Sequence, residues 1–345
     1  MGKRATVRHL LAQTAQVQPP SDDLLGAMDQ SSEDCFAAIC ELLADQPERA
    51  EPGQLWSYGV GWSQLARLIE VATSTPWAQA MRAELFGPLE MSSSGWGPEV
   101  DPGTVASHYV VGTGQHARID PNPSVDLRLM GPAGGIRTTI DDLVAFGLAH
   151  VDSDERYVRK EDLAELRKRQ TSIAIPSFLD GWCCGWGFFD WTGGPVWGWE
   201  GIWSSHRAML RILPEHGGVI AQLANTNSGR ALYRSLFPVL LDRCFGVEMP
   251  SVTSTPVEIS SDELSRFEGS YGWPGTRVVV EARGDRLTLQ GPNQTVDAFA
   301  VGDAWFMEDT SNPDQVGFTF TGSDARGRPE LLYAFLSVFP RCDEG

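Results

Sequence analysis

A series of short segments, rich in aromatic and β-branched residues, dominates the middle of this chain. Turn residues separate them, such as the Gly-Gly-Pro run at 193–195 and the Pro-to-Gly run at 214–217. Short strands joined by short turns pair antiparallel with their neighbours in sequence. The pattern therefore predicts an antiparallel meander, and the helical spacing of 231–245 predicts a helix covering one of its faces. The predicted strands are 182–191, 196–203, 207–213 and 218–225.

Helical signals precede the meander. Apolar residues at helical spacing over 65–71 and 77–85 predict two helices, the second ending at Gly87-Pro88. A Gly-Gly turn at 134–135 is followed by Thr139, a good N-cap residue, and by an apolar run over 143–146. Residues 1–250 are therefore expected to form one α+β domain.

The pattern changes after a Ser/Thr/Pro-rich stretch at 251–256, which we interpret as a linker. Short strand-like segments with Gly-containing turns then continue to the end of the chain. This pattern favours a small all-β domain, a barrel or sandwich, over 257–345. Its predicted strands are 277–282, 286–290, 298–301, 304–308, 317–321 and 331–336.

Composition excludes several functional classes. The net charge of −18 repels phosphate backbones and anionic lipid, so neither nucleic acid nor a membrane surface is expected as a partner. No apolar run is long enough to span a membrane, and no secretory signal is found at the start, so a cytoplasmic location is expected. The six histidines lack metal-site spacing, and we expect no metal and no cofactor.

Five stretches with recognisable motifs occur in order along the chain: residues 6–11, 52–58, 85–91, 132–136 and the Asp-Leu pair at 142–143. Together they resemble the serine β-lactamase and penicillin-binding-protein superfamily, and most closely its carboxylesterase and transesterase branch. The resemblance implies an antiparallel sheet flanked by helices, a helical lobe and a C-terminal β-barrel. It also implies an enzyme that forms an acyl-serine with a small-molecule ester or acyl substrate.

The nucleophile motif of this superfamily, Ser-x-x-Lys, is absent from the sequence. The chain has three lysines; Lys3 has no residue three places earlier, and Lys160 and Lys168 have Tyr157 and Glu165 there. By resemblance residues 6–11 follow the nucleophile helix, so the domain would expose apolar surface without it. Upstream sequence or a second polypeptide is then expected to supply the nucleophile.

Two alternatives stay open at this point. The chain is a catalytically dead pseudoenzyme or a binding subunit that retains the ligand pocket, or its C-terminal β domain is the active part and binds a lipid or a peptide. Tyr58 and Trp199, described next, are expected in a working esterase and tolerated in a catalytically dead one, so they do not separate an enzyme from a pseudoenzyme.

Tyr58 is the candidate catalytic residue. The resemblance places it at the tyrosine that serves as the base near the nucleophile, usually within Tyr-x-Asn. Here the triplet is Tyr58-Gly59-Val60, without the asparagine that contacts a substrate amide. This departure argues against β-lactam or peptide turnover more than against acyl transfer.

Trp199, Glu200 and Gly201 are the candidates for the substrate and oxyanion pocket. The esterase branch has Trp-x-Gly on the strand that edges the pocket, so Trp199 and Gly201 fit the pattern. Glu200 departs from it, because glycine is common there. Since alternate side chains of a strand face opposite ways, Glu200 is expected to point away from Trp199. The alternative is that this aromatic cluster serves only sheet packing.

Overall fold

The computed structural model divides into two compact units. The first comprises Met1–Gln54, Gly59–Ser172 and Gly181–Pro250, and the second Leu55–Tyr58, Ile173–Asp180 and Ser251–Gly345. The structure describes residues 5–16, 25, 27–46, 49–59, 61–97, 100, 102–107, 109–110, 118–119, 128–175, 179–251, 255–291, 294–308, 317–334 and 336–342.

The first unit contains seven described α-helices. Most follow the predicted helical spacing, and a π-helical turn at Arg82–Phe86 continues the fourth helix to the predicted stop at Gly87. A second π-helical turn, Gly131–Gly135, forms the predicted Gly-Gly turn. The helices are α1 Val7–Leu11, α2 Cys35–Ala44, α3 Trp62–Thr73, α4 Trp77–Met81, α5 Ile140–Ala149, α6 Lys160–Leu166 and α7 Gly229–Phe245.

The first unit also contains short 3-10 turns and two-residue strands. The 3-10 turns are Pro102–Thr104, Arg128–Met130 and Pro214–His216, and the short strands are β1 Gly95–Trp96, β2 Tyr109–Val110, β3 Arg118–Ile119 and β4 Ile136–Arg137. β1 pairs with β4, and β2 with β3, both antiparallel.

A buried aspartate joins α5 to the turn before β1. The Thr139 side chain caps α5 by accepting from the backbone N–H of Asp142. The Asp142 carboxylate in turn accepts from the Ser93 N–H at 2.9 Å and the Ser94 hydroxyl at 2.8 Å. The Asp-Leu pair found in the sequence therefore fixes the start of α5, the helix that packs on the sheet.

The main sheet has six strands in the order β10-β9-β8-β7-β6-β5, with antiparallel pairing from β6 to β10. Consecutive neighbours throughout make it the predicted meander. α5 packs on one face of β9 and β10, and α7 on the other. The strands are β5 Thr171–Ile175, β6 Leu179–Trp182, β7 Gly187–Trp191, β8 Gly194–Trp203, β9 His206–Leu213 and β10 Gly218–Ala224.

The second unit contains an eight-stranded antiparallel barrel and the short helix α8, Ser261–Ser265, which begins with a capping box at Ser260. Strands follow one another in sequence order, and a bridge between Tyr271 and Arg341 brings the first and last strands together. Three phenylalanines, Phe267, Phe306 and Phe320, pack in its core with ring centroids 4.8 to 5.7 Å apart. The strands are β11 Gly269–Trp273, β12 Thr276–Arg283, β13 Arg286–Gln290, β14 Thr295–Ala300, β15 Trp305–Glu308, β16 Phe318–Thr321, β17 Leu331–Ala334 and β18 Ser337–Pro340.

The structure corrects three sequence expectations. The segment 182–191 is not one strand, because a turn with Gly185 at φ +86° separates β6 from β7. The strand predicted over 331–336 ends at Ala334, and a further strand, β18, follows it. β5, β11 and β18 were all missed. The expected linker at 251–256 includes residues 252–254, which lie outside the described residues.

Candidate active-site strand

β8 is longer than its neighbour β7, and this difference creates an open strand edge. The pairing of β7 with β8 runs from the pair Trp191 and Gly194 to the pair Gly187 and Gly198. On the other side of β8, the pairing with β9 continues beyond Gly198 as far as Trp203. Among the described residues, no strand lies beside β8 from Glu200 to Trp203 on the β7 side.

Trp199 lies on the face of the sheet that also carries Trp182. Their rings meet edge to face, with centroids 4.6 Å apart and planes at 84°. Trp182 is fully buried, and its indole N–H donates to the carbonyl of Leu11 at 2.9 Å. The Gly185 N–H donates to the same carbonyl. The end of α1 is thereby fixed behind the two tryptophans, and Trp199 is held by its neighbours rather than left to rotate in solvent.

The Gly-Gly turn reaches the same strand. A Cβ atom at Gly134 would lie 3.3 Å from the Trp203 ring, tighter than an ordinary van der Waals contact. Glycine at this position therefore allows the 131–135 turn to approach the open end of β8. The turn is one of the stretches found by resemblance, and the structure brings it to the candidate strand.

Glu200 lies on the other face, away from Trp199. Its carboxylate is 3.1 Å from Arg211 on β9 and also pairs with Arg230 on α7. The three side chains are 7%, 1% and 4% exposed, so this is a buried ion cluster with one carboxylate and two guanidinium groups. The carboxylate lies on the sheet face opposite the tryptophans, where it neutralises part of a buried positive charge.

Aromatic rings complete the surroundings of Arg211. Its guanidinium lies 4.4 Å from the Phe189 ring centroid and 4.9 Å from that of Tyr233, and it donates to the Tyr233 hydroxyl at 2.6 Å. Stacking of this kind suits the weakly hydrated guanidinium of arginine. Burial raises the pKa of Tyr233 to about 12, so this phenol stays protonated.

The sequence reasoning missed the arginines of this cluster, although a signal was present. A glutamate in an aromatic strand that packs on both faces needs a buried partner of opposite charge. The two-residue turn Ser204–Ser205 sets the register of β8 and β9, in which Glu200 pairs with Met209. Arg211, two residues further on, therefore shares the face of Glu200.

Tyr58 belongs to the second unit, whereas Trp199, Glu200 and Gly201 belong to the first. Its N–H donates to the Leu336 carbonyl at 2.9 Å, at the turn between β17 and β18. The Ser57 hydroxyl accepts from the Val338 N–H at 3.3 Å, and the buried Trp56 ring lies 6.5 Å from that of Tyr58. The half-buried phenol thus sits on a segment anchored to the last hairpin of the barrel. The role of Tyr58 as a catalytic base, which the family resemblance implies, stays a prediction.

No helix in the described ranges is long and apolar enough to cross a membrane. In that same part of the chain, no group of three or more His, Cys, Asp or Glu side chains is arranged to hold a metal ion.

Comparison with known proteins identifies the family. A beta-lactamase family profile matches residues 2–242. The chain belongs to the beta-lactamase family. It is 31% identical over 253 residues to penicillin-binding protein 4 of Amycolatopsis lactamdurans, a match that covers 69% of this chain and 65% of that protein. The chain therefore spans about two thirds of the length of this relative.

Solved structures agree on the fold. SurE, which has also been solved with D-Leu, superposes on 98% of this chain and 79% of its own with a TM-score of 0.73 and 24% identity. The octameric penicillin-binding protein homologue of Pyrococcus abyssi superposes on 94% of this chain and 76% of its own, with a TM-score of 0.59 and 20% identity. Both superpositions extend beyond the beta-lactamase profile, so the similarity in fold includes the C-terminal barrel.

Proposed function

We propose that this chain is the larger part of an acyl-serine hydrolase of the esterase or transesterase type, acting on a small-molecule ester or acyl substrate. The observation that carries the proposal is the open edge of β8 from Glu200 to Trp203, beside Trp199. An unpaired strand edge offers backbone N–H donors without any reorganisation. Such donors are what the oxyanion of a tetrahedral intermediate requires.

The register of β8 indicates which N–H groups face the open side. Two residues separate the paired Trp203 and His206, so this closing pair exchanges hydrogen bonds as in other two-residue hairpins. Because the pattern alternates along an antiparallel ladder, Ile202 and Glu200 direct their N–H groups away from β9. The oxyanion is then expected to bind at the N–H of Ile202, between Gly201 and Trp203, with the Trp199 ring as an apolar wall.

Tyr58 is proposed as the residue that takes the proton from the attacking serine. The surrounding Pro-Gly-Gln-Leu-Trp-Ser-Tyr sequence supports this assignment, as does the anchoring of residues 57 and 58 by backbone hydrogen bonds. Val60 replaces the asparagine that would contact a substrate amide, which favours esters over amides and β-lactams.

The nucleophile is proposed to come from a segment that carries Ser-x-x-Lys, either in sequence upstream of these residues or on a second polypeptide. None of the three lysines in this chain follows a serine at the required spacing. Without that segment, only positioning and oxyanion effects remain, and the chain alone is inactive.

A binding subunit without catalysis is the second candidate. The absence of Ser-x-x-Lys favours it directly, since a pocket that only binds needs no nucleophile. This candidate predicts ligand binding at Trp199 without turnover under any combination of components.

Hydrolysis of p-nitrophenyl esters of D-leucine and L-leucine tests the proposal; the D ester is included because SurE has been solved with D-Leu. We expect no burst from the chain alone. Restoring a Ser-x-x-Lys segment, as upstream sequence or as a separate polypeptide, should give a burst stoichiometric with this chain. An acyl adduct mapped to any serine of this chain contradicts the proposal, and turnover that never appears with saturable binding supports the second candidate.

A further inference from the structure

A line of small residues crosses the main sheet beside the open end of β8. Gly201 pairs with Ala208 on β9, and Ala208 pairs with Leu223 on β10. A Cβ atom at Gly201 would lie 3.2 Å from the Cβ of Ala208, so glycine keeps the sheet surface low at this pair. Gly201 is exposed, Ala208 is half-buried and Leu223 is 37% exposed. The line is therefore open to solvent.

Larger side chains bound this line on both sides along the strands. Because alternate residues of a strand share a face, the bounding pairs stand on the same face as Ala208, about 13 Å apart along β8. The space between them is named here the notch, with Gly201 and Ala208 as its floor. Its bounding pairs are Trp203 with His206, and Trp199 with Leu210.

The walls of the notch are held by contacts outside it. The Trp203 ring lies against the Gly-Gly turn, and Nε2 of His206 is 3.2 Å from the Ala106 carbonyl oxygen. Leu210 is buried under α5, where a Cβ atom at Gly147 would lie 3.2 Å from its Cδ1. A ligand would therefore find the notch already formed, without moving these side chains.

The notch suits an uncharged, apolar group. The charged residues of the β8–β9 hairpin, Glu200, Arg207 and Arg211, belong to the opposite face, where Glu200 pairs with Arg211. A charged group bound on the floor would lose water without gaining an ionic partner from this hairpin. An apolar group of the same size gains free energy from its burial.

The notch is also next to the proposed oxyanion site. Ile202, whose N–H is the proposed oxyanion donor, directly follows Gly201. An ester whose carbonyl oxygen accepts from this N–H has its carbonyl carbon within a few bonds of the floor. A side chain on the adjacent acyl carbon then extends over Gly201 toward Ala208.

We propose that the notch is the acyl side-chain pocket, and that the substrates are esters of acids with a leucine-sized, uncharged apolar side chain next to the carbonyl. This inference rests on the proposed function and names its substrate class. Ala208 is the residue that determines this specificity, because a longer side chain there would fill the space that the acyl group occupies.

Binding of three esters to the chain tests the proposal by isothermal titration. The probes are the methyl esters of N-acetylleucine and N-acetylglycine, and the isobutyl ester of N-acetylglycine, which carries the same apolar group on its alcohol side. We expect the leucine methyl ester to bind at least tenfold more tightly than both glycine esters. Equal affinities, or tightest binding of the isobutyl ester, overturn the proposal.

Variants of the floor test which residue sets the preference. Ala208→Leu fills the notch and should lower the preference for the leucine ester at least tenfold, and Ala208→Val replaces it if Ala208→Leu fails to fold. Ala231→Leu adds the same side chain at an exposed position of α7 and is the matched control, with binding of all three esters unchanged. An unchanged preference in the folded Ala208 variants overturns the proposal.

A thiol introduced by Ala208→Cys localises the ligand. The leucine ester should slow alkylation of this thiol by iodoacetamide at least fivefold. Cys244 is an exposed free cysteine of the same chain, and its alkylation rate should not change. Equal rates at position 208 with and without the ester overturn the proposal.

These measurements need no turnover, so failure of the pocket and failure of the proposed function are distinguishable. Selective binding that depends on Ala208, without a burst after a Ser-x-x-Lys segment is restored, rejects the proposed function and leaves the pocket standing. A burst whose rate is the same for leucine and glycine esters rejects the pocket and leaves the proposed function standing.

Discussion

His150 is an example of a titrating residue that folding holds in its neutral form. It is 3% exposed, its Nδ1 lies 2.9 Å from the Phe146 carbonyl oxygen, and the rings of Phe146, Trp186 and Tyr157 lie 4.5, 5.1 and 5.5 Å away. Burial lowers the pKa of His150 to about 4. The unfolded chain therefore binds a proton at this residue at a higher pH than the folded chain does.

The expected result is a pH-dependent free energy of unfolding. Because the pKa of His150 is lower in the folded chain, the neutral residue contributes fully to the free energy of unfolding above about pH 6.5. This contribution is lost as the pH falls toward about 4, and the loss is about 3 kcal/mol. Urea unfolding of the wild type and His150→Gln between pH 7 and 5 measures it. The variant should have the flatter profile, and identical slopes would contradict the assignment.

In the proposed enzyme, with a Ser-x-x-Lys segment restored, Tyr58 and Trp199 should respond differently to substitution. Tyr58→Phe should lower kcat by about two to four orders of magnitude, the usual loss for a general base. Trp199→Ala should act mainly on KM, by about 2 kcal/mol or more, since it removes an apolar contact. Steady-state kinetics separate the two effects. Equal small effects of both changes would mean that the motif assignment is wrong.

At the scale of elements, local patterns predicted most strands, and the misses have physical causes. β8, β9 and β10 follow from short segments rich in apolar residues that lie between turn residues. β11 has a glycine at 269 and another at 272, and β18 ends in Pro340, so neither has a strong strand signal. Their pairing closes the barrel across the whole unit, which no local pattern can reveal.

The same limit applies to the candidate site. Trp199 and Gly201 were found because their spacing fits a motif, and the side of the strand on which Glu200 lies follows from alternation. Arg230 comes from α7, 30 residues away, and only the packing of that helix brings it to the cluster. The sequence could therefore predict the strand and, through the hairpin register, Arg211, but not Arg230.

Removing the Glu200 carboxylate should strongly destabilise the first unit. Glu200→Ala leaves two buried guanidinium groups without their carboxylate, and the free energy of unfolding should fall by about 3–5 kcal/mol. Denaturant unfolding measures this change. Asp162→Ala, which breaks the exposed pair with Arg159, is the control and should change little.

A double variant tests whether the loss comes from charge. Glu200→Gln combined with Arg230→Gln restores the net charge of the cluster, so the double variant should be more stable than the sum of the single changes predicts. If the two single losses in the free energy of unfolding simply add up in the double variant, packing rather than charge causes the loss.

At the scale of the whole molecule, the chain should expose its apolar rows when it is alone. The exposed apolar side chains of α5 and α7 should bind a hydrophobic dye, and a fluorescence titration with the dye measures this binding. A chain that binds no dye has covered this surface by itself, which would favour a binding subunit.

The ion cluster behind β8 also constrains how this sequence can diverge. Glycine at position 200, common in the esterase branch, would leave Arg211 and Arg230 facing each other in the interior. A change of Glu200 to glycine is therefore deleterious unless an arginine is replaced first or at the same time. Positions 200, 211 and 230 should therefore change together in descendants of this chain. This epistasis arises from one carboxylate, that of Glu200, on the sheet face opposite Trp199.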